Sequence, residues 1–158
     1  MSFKQLVFTN CLFLRIQSGW CLTFFLYMLY RKVIPAPIEK VELGKNKKST
    51  YYLTANLFYS SVHYQVRKQV VDKAKEFLLP HLQDCPVLGS NLSISIGYQS
   101  DKNNHFDLDN KAFFWQKVLC DLLKRMGKIE DDSVLHIQQI HYFYQKGEPN
   151  IILQVNKL

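Results

Sequence analysis

Residues 105–133 read HFDLDNKAFFWQKVLCDLLKRMGKIEDDS, an amphipathic helix with an acidic pair at each end. Apolar side chains recur at helical spacing, which predicts a helix from about residue 110 to 126. Asp109 or Asn110 suits the N-cap of this helix, and Gly127 suits its C-terminal stop. The residues that we expect to face the core are Trp115, Val118, Leu119, Leu122 and Met126.

The two acidic pairs are the candidate functional residues of this stretch. A one-residue spacer in an extended segment places Asp107 and Asp109 on the same side of the backbone. A reversal of the chain after Gly127 would bring Asp132 back beside them. Three converging carboxylates form a hard-oxygen site of the kind that Mg²⁺ takes, which in a basic protein suggests metal-assisted phosphodiester chemistry. The alternative is that the aspartates act separately, as a helix cap and as polar loop residues.

The rest of the chain shows the pattern of an α+β domain. The other predicted elements are a strand at 49–55, a turn at 56–61, a helix at 63–79, a strand within 87–100, a strand at 133–145, a hairpin turn at 146–150 and a strand at 151–155. The predicted order is therefore β-α-β-α-β-β, a single domain in which two helices pack on a mixed sheet. The polar face of the first helix carries Arg67, Lys68, Lys73 and Lys75.

The first 48 residues fit this pattern less well. Residues 5–30 end in the apolar and aromatic run 19–30, and they are interpreted as a membrane-contacting appendage, as an extra packed element, or as translated sequence upstream of the natural start. Residues 33–48 contain two prolines, a glycine and a lysine-rich run, which predicts a linker. We therefore expect residues 1–48 to form an apolar extension and linker outside a domain at 49–158.

Length, charge and cysteine usage narrow the class of protein. A chain of 158 residues suffices for one domain with a substantial core. A net charge of +7 favours a polyanionic partner. The four cysteines show neither a CxxC motif nor zinc-ligand spacing, so we expect a reduced, cytoplasmic protein, and Cys120 should be buried on the apolar side of its helix.

The segment around the acidic pairs resembles the RusA-type Holliday junction resolvases. The signature of that family is D-x-D-N, a following K-x-x-x-D, and then D-D-x-x-V. The corresponding segments here are Asp107–Asn110, Lys117–Asp121 and, offset by one residue, Asp131–Val134. The upstream stretch LTANLFYSSVHYQVRK (53–68) is also similar to the asparagine-containing first turn and first helix of the family. The resemblance covers roughly residues 49–158.

The resemblance implies a homodimeric, Mg²⁺-dependent endonuclease that cuts four-way DNA junctions symmetrically in recombination and repair, with Mn²⁺ as a substitute cation and no small-molecule cofactor. Asp107, Asp109 and Asp132 would hold the metal, and Asp131 would orient Asp132 or a metal-bound water. Lys117 would lie near the scissile phosphate. A phage or prophage origin is compatible with this interpretation.

Two alternatives stay open at this point. Phe113 occupies the position where the family usually has its lysine, four residues after the second aspartate, so Lys111 competes with Lys117 for the active-site role. The second alternative is a protein of the same fold that binds branched DNA without cutting it. On either interpretation, contacts to the DNA backbone are expected from the basic side chains Arg67, Lys68, Lys73, Lys75 and Lys111.

Overall fold

The computed structural model describes residues 27–35, 37–45, 49–101 and 107–158. The strands of this part of the chain are β1 (Tyr27–Pro35), β2 (Lys40–Leu43), β3 (Ser49–Tyr52), β4 (Leu92–Ser100), β5 (Ile137–Lys146) and β6 (Asn150–Lys157). The helices are α1 (Asn56–Tyr59), α2 (Tyr64–Leu78) and α3 (Leu108–Arg125), and a 3₁₀ turn (Leu79–Leu82) follows α2.

A mixed four-stranded sheet organises the fold. Its strand order is β1-β6-β4-β5, and β2 and β3 form a separate two-stranded sheet. β4 and β5 run parallel, whereas β1 and β4 are both antiparallel to β6. A parallel pair needs a long crossover connection, and α3 supplies it between β4 and β5. The predicted α+β class with helices packed on a mixed sheet is confirmed.

The apolar face of α3 contributes much of the core. Trp115, Val118, Leu119 and Leu122 are buried, as the helical spacing predicted, and Met126 is partly buried against them. Helix α2 packs beside α3, with the ring centroids of Phe77 and Trp115 6.2 Å apart. Gly127 has φ +68°, the left-handed conformation that ends a helix, so the predicted C-terminal stop of α3 is confirmed.

The prediction of a linker at 33–48 is wrong for the residues of β1 and β2. Strand β1 pairs with β6 from Tyr27 to Pro35, and Ile34 is fully buried. Tyr30 and Lys32 both donate hydrogen bonds to Asp84, at 2.9 and 2.7 Å, which ties β1 to the segment after the 3₁₀ turn. Proline is tolerated here because β1 is an edge strand and Pro35 ends it.

Residues 27–30, the end of the apolar stretch 5–30, therefore belong to a packed strand. Residues 5–26, on which the three interpretations of the apolar extension depend, lie outside the described residues. Among the helices that the structure describes, none is long and apolar enough to cross a bilayer.

Local boundaries differ from the predictions in three places. The predicted turn at 56–61 contains the short helix α1, and the predicted strand at 49–55 ends at Tyr52 and pairs with β2 outside the main sheet. Strand β5 begins at Ile137 instead of residue 133, because the N–H groups of His136 and Ile137 both donate to the carbonyl of Ser133 in a helical turn.

Candidate active site

The first pair of candidate carboxylates lies at the start of α3. Asp107 is the N-cap residue, where Asp109 or Asn110 was predicted, and Asp109 lies in the first helical turn. Both side chains are exposed. Their carboxyl groups are in hydrogen-bonding contact, which is the main cause that raises the pKa of Asp107 and lowers the pKa of Asp109. The structure therefore brings these two predicted ligands together at the surface.

Asn110 ties this helix start to α1. Its backbone carbonyl accepts a hydrogen bond from the N–H of Ala55 at 2.8 Å, and its side-chain Oδ1 accepts one from the N–H of Asn56 at 3.2 Å. The two segments that carry the resemblance, the D-x-D-N motif and the asparagine-containing turn, are therefore in direct contact. This contact fixes the position of α1 relative to Asp109.

A second charged cluster lies farther along α3 and centres on Lys117. The Nζ atom of Lys117 is 3.5 Å from Asp121 Oδ1 and 3.5 Å from Asp132 Oδ2. Partial burial by itself lowers the pKa of Lys117, but the two carboxylates outweigh that effect and raise the pKa above its ordinary value. Lys117 is therefore a cation held in place by carboxylates from its own helix and from the following loop.

Asp131 and Asp132 share a second cation, Lys124. Lys124 forms a short ion pair with Asp131, and its Nζ lies 3.5 Å from Asp132 Oδ1. The hydrogen bond from Lys124 is the main cause that lowers the pKa of Asp131 to about 2. Asp132 thus lies between Lys117 and Lys124, and the neighbouring Asp131 pairs with Lys124 as well.

The chain reversal was expected to place Asp132 beside Asp107 and Asp109, but Asp132 lies elsewhere. Lys117, which contacts Asp132, is eight residues beyond Asp109, about 12 Å along a helix axis. No group of three or more His, Cys, Asp or Glu side chains within the described residues is arranged to hold a metal ion. The reversal at Gly127 does occur, but the returning loop reaches α3 at its middle turns instead of its N-terminus.

The basic residues predicted to contact DNA divide into two groups. Arg67 donates to the carbonyls of Ser60 and Val62, and Lys75 pairs with Asp121 at 3.2 Å. Lys68 and Lys73 are exposed on α2, where the polar face was predicted.

Lys111, the competing active-site lysine, lies with its Nζ 5.9 Å from the ring centroid of Tyr98 on β4. The structure therefore joins Lys117, and not Lys111, to the acidic cluster of the loop after α3.

A groove of about 530 Å³ lies between α2 and the C-terminal end of α3. Its floor includes Leu122 and Met126, and its walls mix basic Lys68 and Arg125 with acidic Asp72 and Glu76. Because both signs of charge are present, the groove has no clear preference for an anion or a cation. None of the predicted catalytic carboxylates lines it.

Aromatic side chains fill the space between the two charged clusters, and the sequence analysis assigned them no role. The ring of Tyr59 stacks on that of Phe113, with centroids 6.2 Å apart, and Tyr59 is 76% exposed. Phe113 follows Asp109 by four residues, so both lie on one face of α3. This spacing was the only sequence signal that placed an aromatic ring beside the acidic pair.

No protein-family model matches this chain, and no curated protein matches it.

Proposed function

We propose that the protein is a metal-dependent, structure-selective endodeoxyribonuclease that acts on four-way DNA junctions, as its resemblance to the RusA-type resolvases implies. The observation that carries the proposal is the exposed Asp107 and Asp109 pair at the start of the helix that also bears Lys117. A solvent-facing pair of touching carboxylates attracts a cation. Lys117 lies eight residues farther along the same helix, where it adds positive charge for the phosphate backbone of a bound DNA.

The Asp107 and Asp109 pair fits Mg²⁺ or Mn²⁺ without a third carboxylate. Mg²⁺ in proteins commonly takes one or two carboxylates and fills its other positions with water and substrate phosphate oxygens. Such an ion activates water and offsets charge that builds on the scissile phosphate. In this proposal Asp107 and Asp109 bind the ion, whose charge would offset the repulsion between two neighbouring carboxylates.

Lys117 supplies the second electrostatic contribution. Asp121 and Asp132 keep its ammonium group protonated and limit its rotation. A positioned cation that does not need to reorganise during the reaction stabilises developing negative charge more than a mobile one. In this proposal Asp132 therefore serves the site through Lys117, and Asp131 supports Asp132 through their common partner Lys124.

DNA binding in this proposal comes from the net charge and from exposed lysines. The net charge of the chain is +7. Lys68 and Lys73 are exposed, whereas Lys75 forms an ion pair with Asp121. Contacts of this kind recognise phosphates and give affinity that falls steeply with salt. They provide little sequence preference, as a junction-directed enzyme requires.

Symmetric cutting of a junction needs two sites, and β5 offers a surface for pairing two copies. β5 lies at one edge of the four-stranded sheet, where β4 is its neighbour among the strands that the structure describes. Apolar side chains on and just before β5 are exposed, namely Val134 (81%), Leu135 (74%), Ile140 (41%) and Tyr144 (42%). β5 is ten residues long and its one Lys, Arg, Asp or Glu residue is Lys146 at its end, so little charge opposes pairing of this edge with a second chain.

The deciding experiment is cleavage of a labelled synthetic four-way junction in Mg²⁺, Mn²⁺ or EDTA, with linear duplex in parallel. The proposal expects paired symmetric nicks in the junction alone and only with a divalent cation. Absence of product in both Mg²⁺ and Mn²⁺ would falsify the nuclease assignment.

A second candidate function is binding of branched DNA without cleavage. The observation that favours it is the position of Asp132, which contacts two lysines instead of completing a three-carboxylate site. This candidate expects junction binding that survives in EDTA and no product with either cation. The same assay therefore separates the two functions.

A further inference from the structure

Tyr59 is exposed, whereas the aromatic residue before it in the sequence, Phe58, is partly buried. Phe58 turns inward and stacks on the buried Phe114, with ring centroids 5.6 Å apart. Tyr59 instead lies on the outer side of Phe113, with an interplanar angle of 28° and one ring face toward solvent. Phe58 is thus the residue of α1 whose ring packs against the core here, so packing in the core does not explain why residue 59 is aromatic.

The surroundings of Tyr59 place it beside the acidic pair. The ring of Tyr59 stacks on that of Phe113, with centroids 6.2 Å apart. Phe113 lies one helical turn after Asp109 and one turn before Lys117 on α3. Tyr59 therefore lies over the stretch of α3 between Asp109 and Lys117.

The backbone that carries Tyr59 is held at both ends. On one side, Asn56 is bonded to the side chain of Asn110 at the start of α3. On the other side, the guanidinium of Arg67 donates to the carbonyls of Ser60 and Val62. A ring fixed in this way loses little conformational entropy when a flat ligand stacks on it.

We infer that Tyr59, supported by Phe113, is a stacking platform for a base that lacks a stacking neighbour at the branch point of the DNA. This inference rests on the proposed function, since it assigns the substrate feature that the same site selects. Every base has a π-face, so stacking of this kind is independent of sequence. Bases in a regular duplex are stacked on a neighbour at both faces, whereas a base at an opened strand exchange or in a bulge has a face that a protein ring can cover. The platform thus distinguishes branched from linear DNA beside the proposed metal ligands.

The test measures binding to three labelled DNAs in EDTA at one salt concentration: a four-way junction, a duplex with a three-base bulge, and the fully paired duplex. Tyr59→Ala should weaken binding to the junction and the bulge by about 5- to 100-fold, the contribution of one stacked base, and leave duplex binding unchanged. Tyr59→Phe and Tyr59→Trp should retain the preference, because both keep a ring. If Tyr59 contributed only to folding, Tyr59→Ala would weaken binding to the junction and to the duplex by the same factor.

Tyr52 provides the matched control, since it is a tyrosine 63% exposed on β3. Tyr52→Ala should leave all three affinities at their wild-type values. The inference is overturned if Tyr59→Ala keeps the wild-type ratio of junction to duplex affinity. Cleavage in Mg²⁺ is measured separately on the same preparations. If the wild-type protein cuts but Tyr59→Ala leaves the ratio of junction to duplex affinity unchanged, only the stacking platform is rejected. If Tyr59→Ala changes that ratio but the wild-type protein does not cut, the platform is supported and the nuclease assignment is rejected.

Discussion

The ammonium nitrogen of Lys117 lies 3.5 Å from a carboxylate oxygen of Asp132, which joins the middle of α3 to the loop that follows it. A second carboxylate, Asp121, lies one helical turn beyond Lys117 and 3.5 Å from the same nitrogen. Two partners on different segments restrict the lysine more than one helical neighbour would. The pair thus explains how a lysine on an exposed helical face is kept charged and oriented.

The acidic pair at the start of α3 gives the first prediction. Asp109→Asn should reduce metal-dependent junction cleavage by about 100-fold or more, because a neutral amide is a much poorer ligand for Mg²⁺ than a carboxylate. Junction affinity in EDTA should stay equal or rise, since the change removes negative charge near phosphate. Asp72→Asn on α2 is the control and should cut at the wild-type rate. Wild-type cleavage by Asp109→Asn would remove Asp109 from the site.

The assignment of the active-site lysine gives the second prediction. Lys117→Met should lower the cleavage rate by about 100-fold, because the variant loses the cation between Asp121 and Asp132. Lys111→Met should cut within a few-fold of wild type, since Lys111 lies over the ring of Tyr98 instead of in the acidic cluster. The measurement is single-turnover cleavage at saturating protein. The reverse order of the two rates would move the role to Lys111.

Asp132 gives a related prediction with a different signature. Asp132→Asn removes one carboxylate from both Lys117 and Lys124, and cleavage should fall because Lys117 loses an anchor. If Asp132 acts through the lysine, the loss should be no larger than that of Lys117→Met, and the double variant should be no worse than Lys117→Met alone. Additive losses in this double-mutant cycle would instead assign Asp132 an independent role such as metal binding.

The parts of the fold that depend on local pattern were predictable. Helix α3 and its buried stripe follow from apolar spacing. Asp107 and Asp109 are in contact as expected, but at the first turn of α3 instead of in the extended segment on which that expectation rested. The position of Asp132 depends on how a loop returns after Gly127, and sequence alone does not determine that path. Strand β1 was missed because prolines suggested a linker, whereas its pairing with the distant strand β6 leaves no local signal.

The exposed aromatic residue was missed for a different reason. Tyr59 lies in a stretch interpreted as a turn, where neither helical nor strand periodicity assigns a side chain to the inside or the outside. Its place became clear only from the tertiary contact between α1 and α3. Functional residues on short connecting elements are in general less visible in a single sequence than those on long, periodic ones.

The short ion pair of Lys124 with Asp131 gives a prediction about pH. The pKa of Asp131 is about 2 in the folded protein, below the ordinary value of about 3.9. A lowered pKa means that the carboxylate contributes stability above the unfolded-state value, and that this contribution is lost as the pH falls toward 2. Carbon-13 NMR of the side-chain carboxyl should show a titration midpoint near 2. Lys124→Met should return the midpoint toward the ordinary value, while Lys128→Met, the control, should leave it unchanged.

The salt dependence of DNA binding separates the lysines of α2. Replacing Lys68 or Lys73 by alanine should weaken junction and duplex binding alike and reduce the slope of log K against log salt by about 1. Lys75→Ala should leave the slope unchanged and instead lower stability by roughly 1 kcal/mol or less, since Lys75 pairs with Asp121. Slopes come from fluorescence anisotropy at several salt concentrations, and stability from urea unfolding. An unchanged slope for both Lys68→Ala and Lys73→Ala would place the DNA path elsewhere.

The edge strand β5 gives the last prediction, which concerns assembly. If two copies pair along β5, Leu135→Glu should shift the protein from dimer to monomer in sedimentation velocity, because a charge beside the shared edge is desolvated on pairing. Val33→Glu is the matched control, since Val33 is 38% exposed and lies on β1, at the opposite edge of the four-stranded sheet. A monomeric Leu135→Glu variant should also nick one strand of a junction without the paired second cut, because paired cuts need two sites held on one substrate. A dimer that persists in Leu135→Glu and in Ile140→Glu would place the interface on another surface and leave β5 as a plain edge.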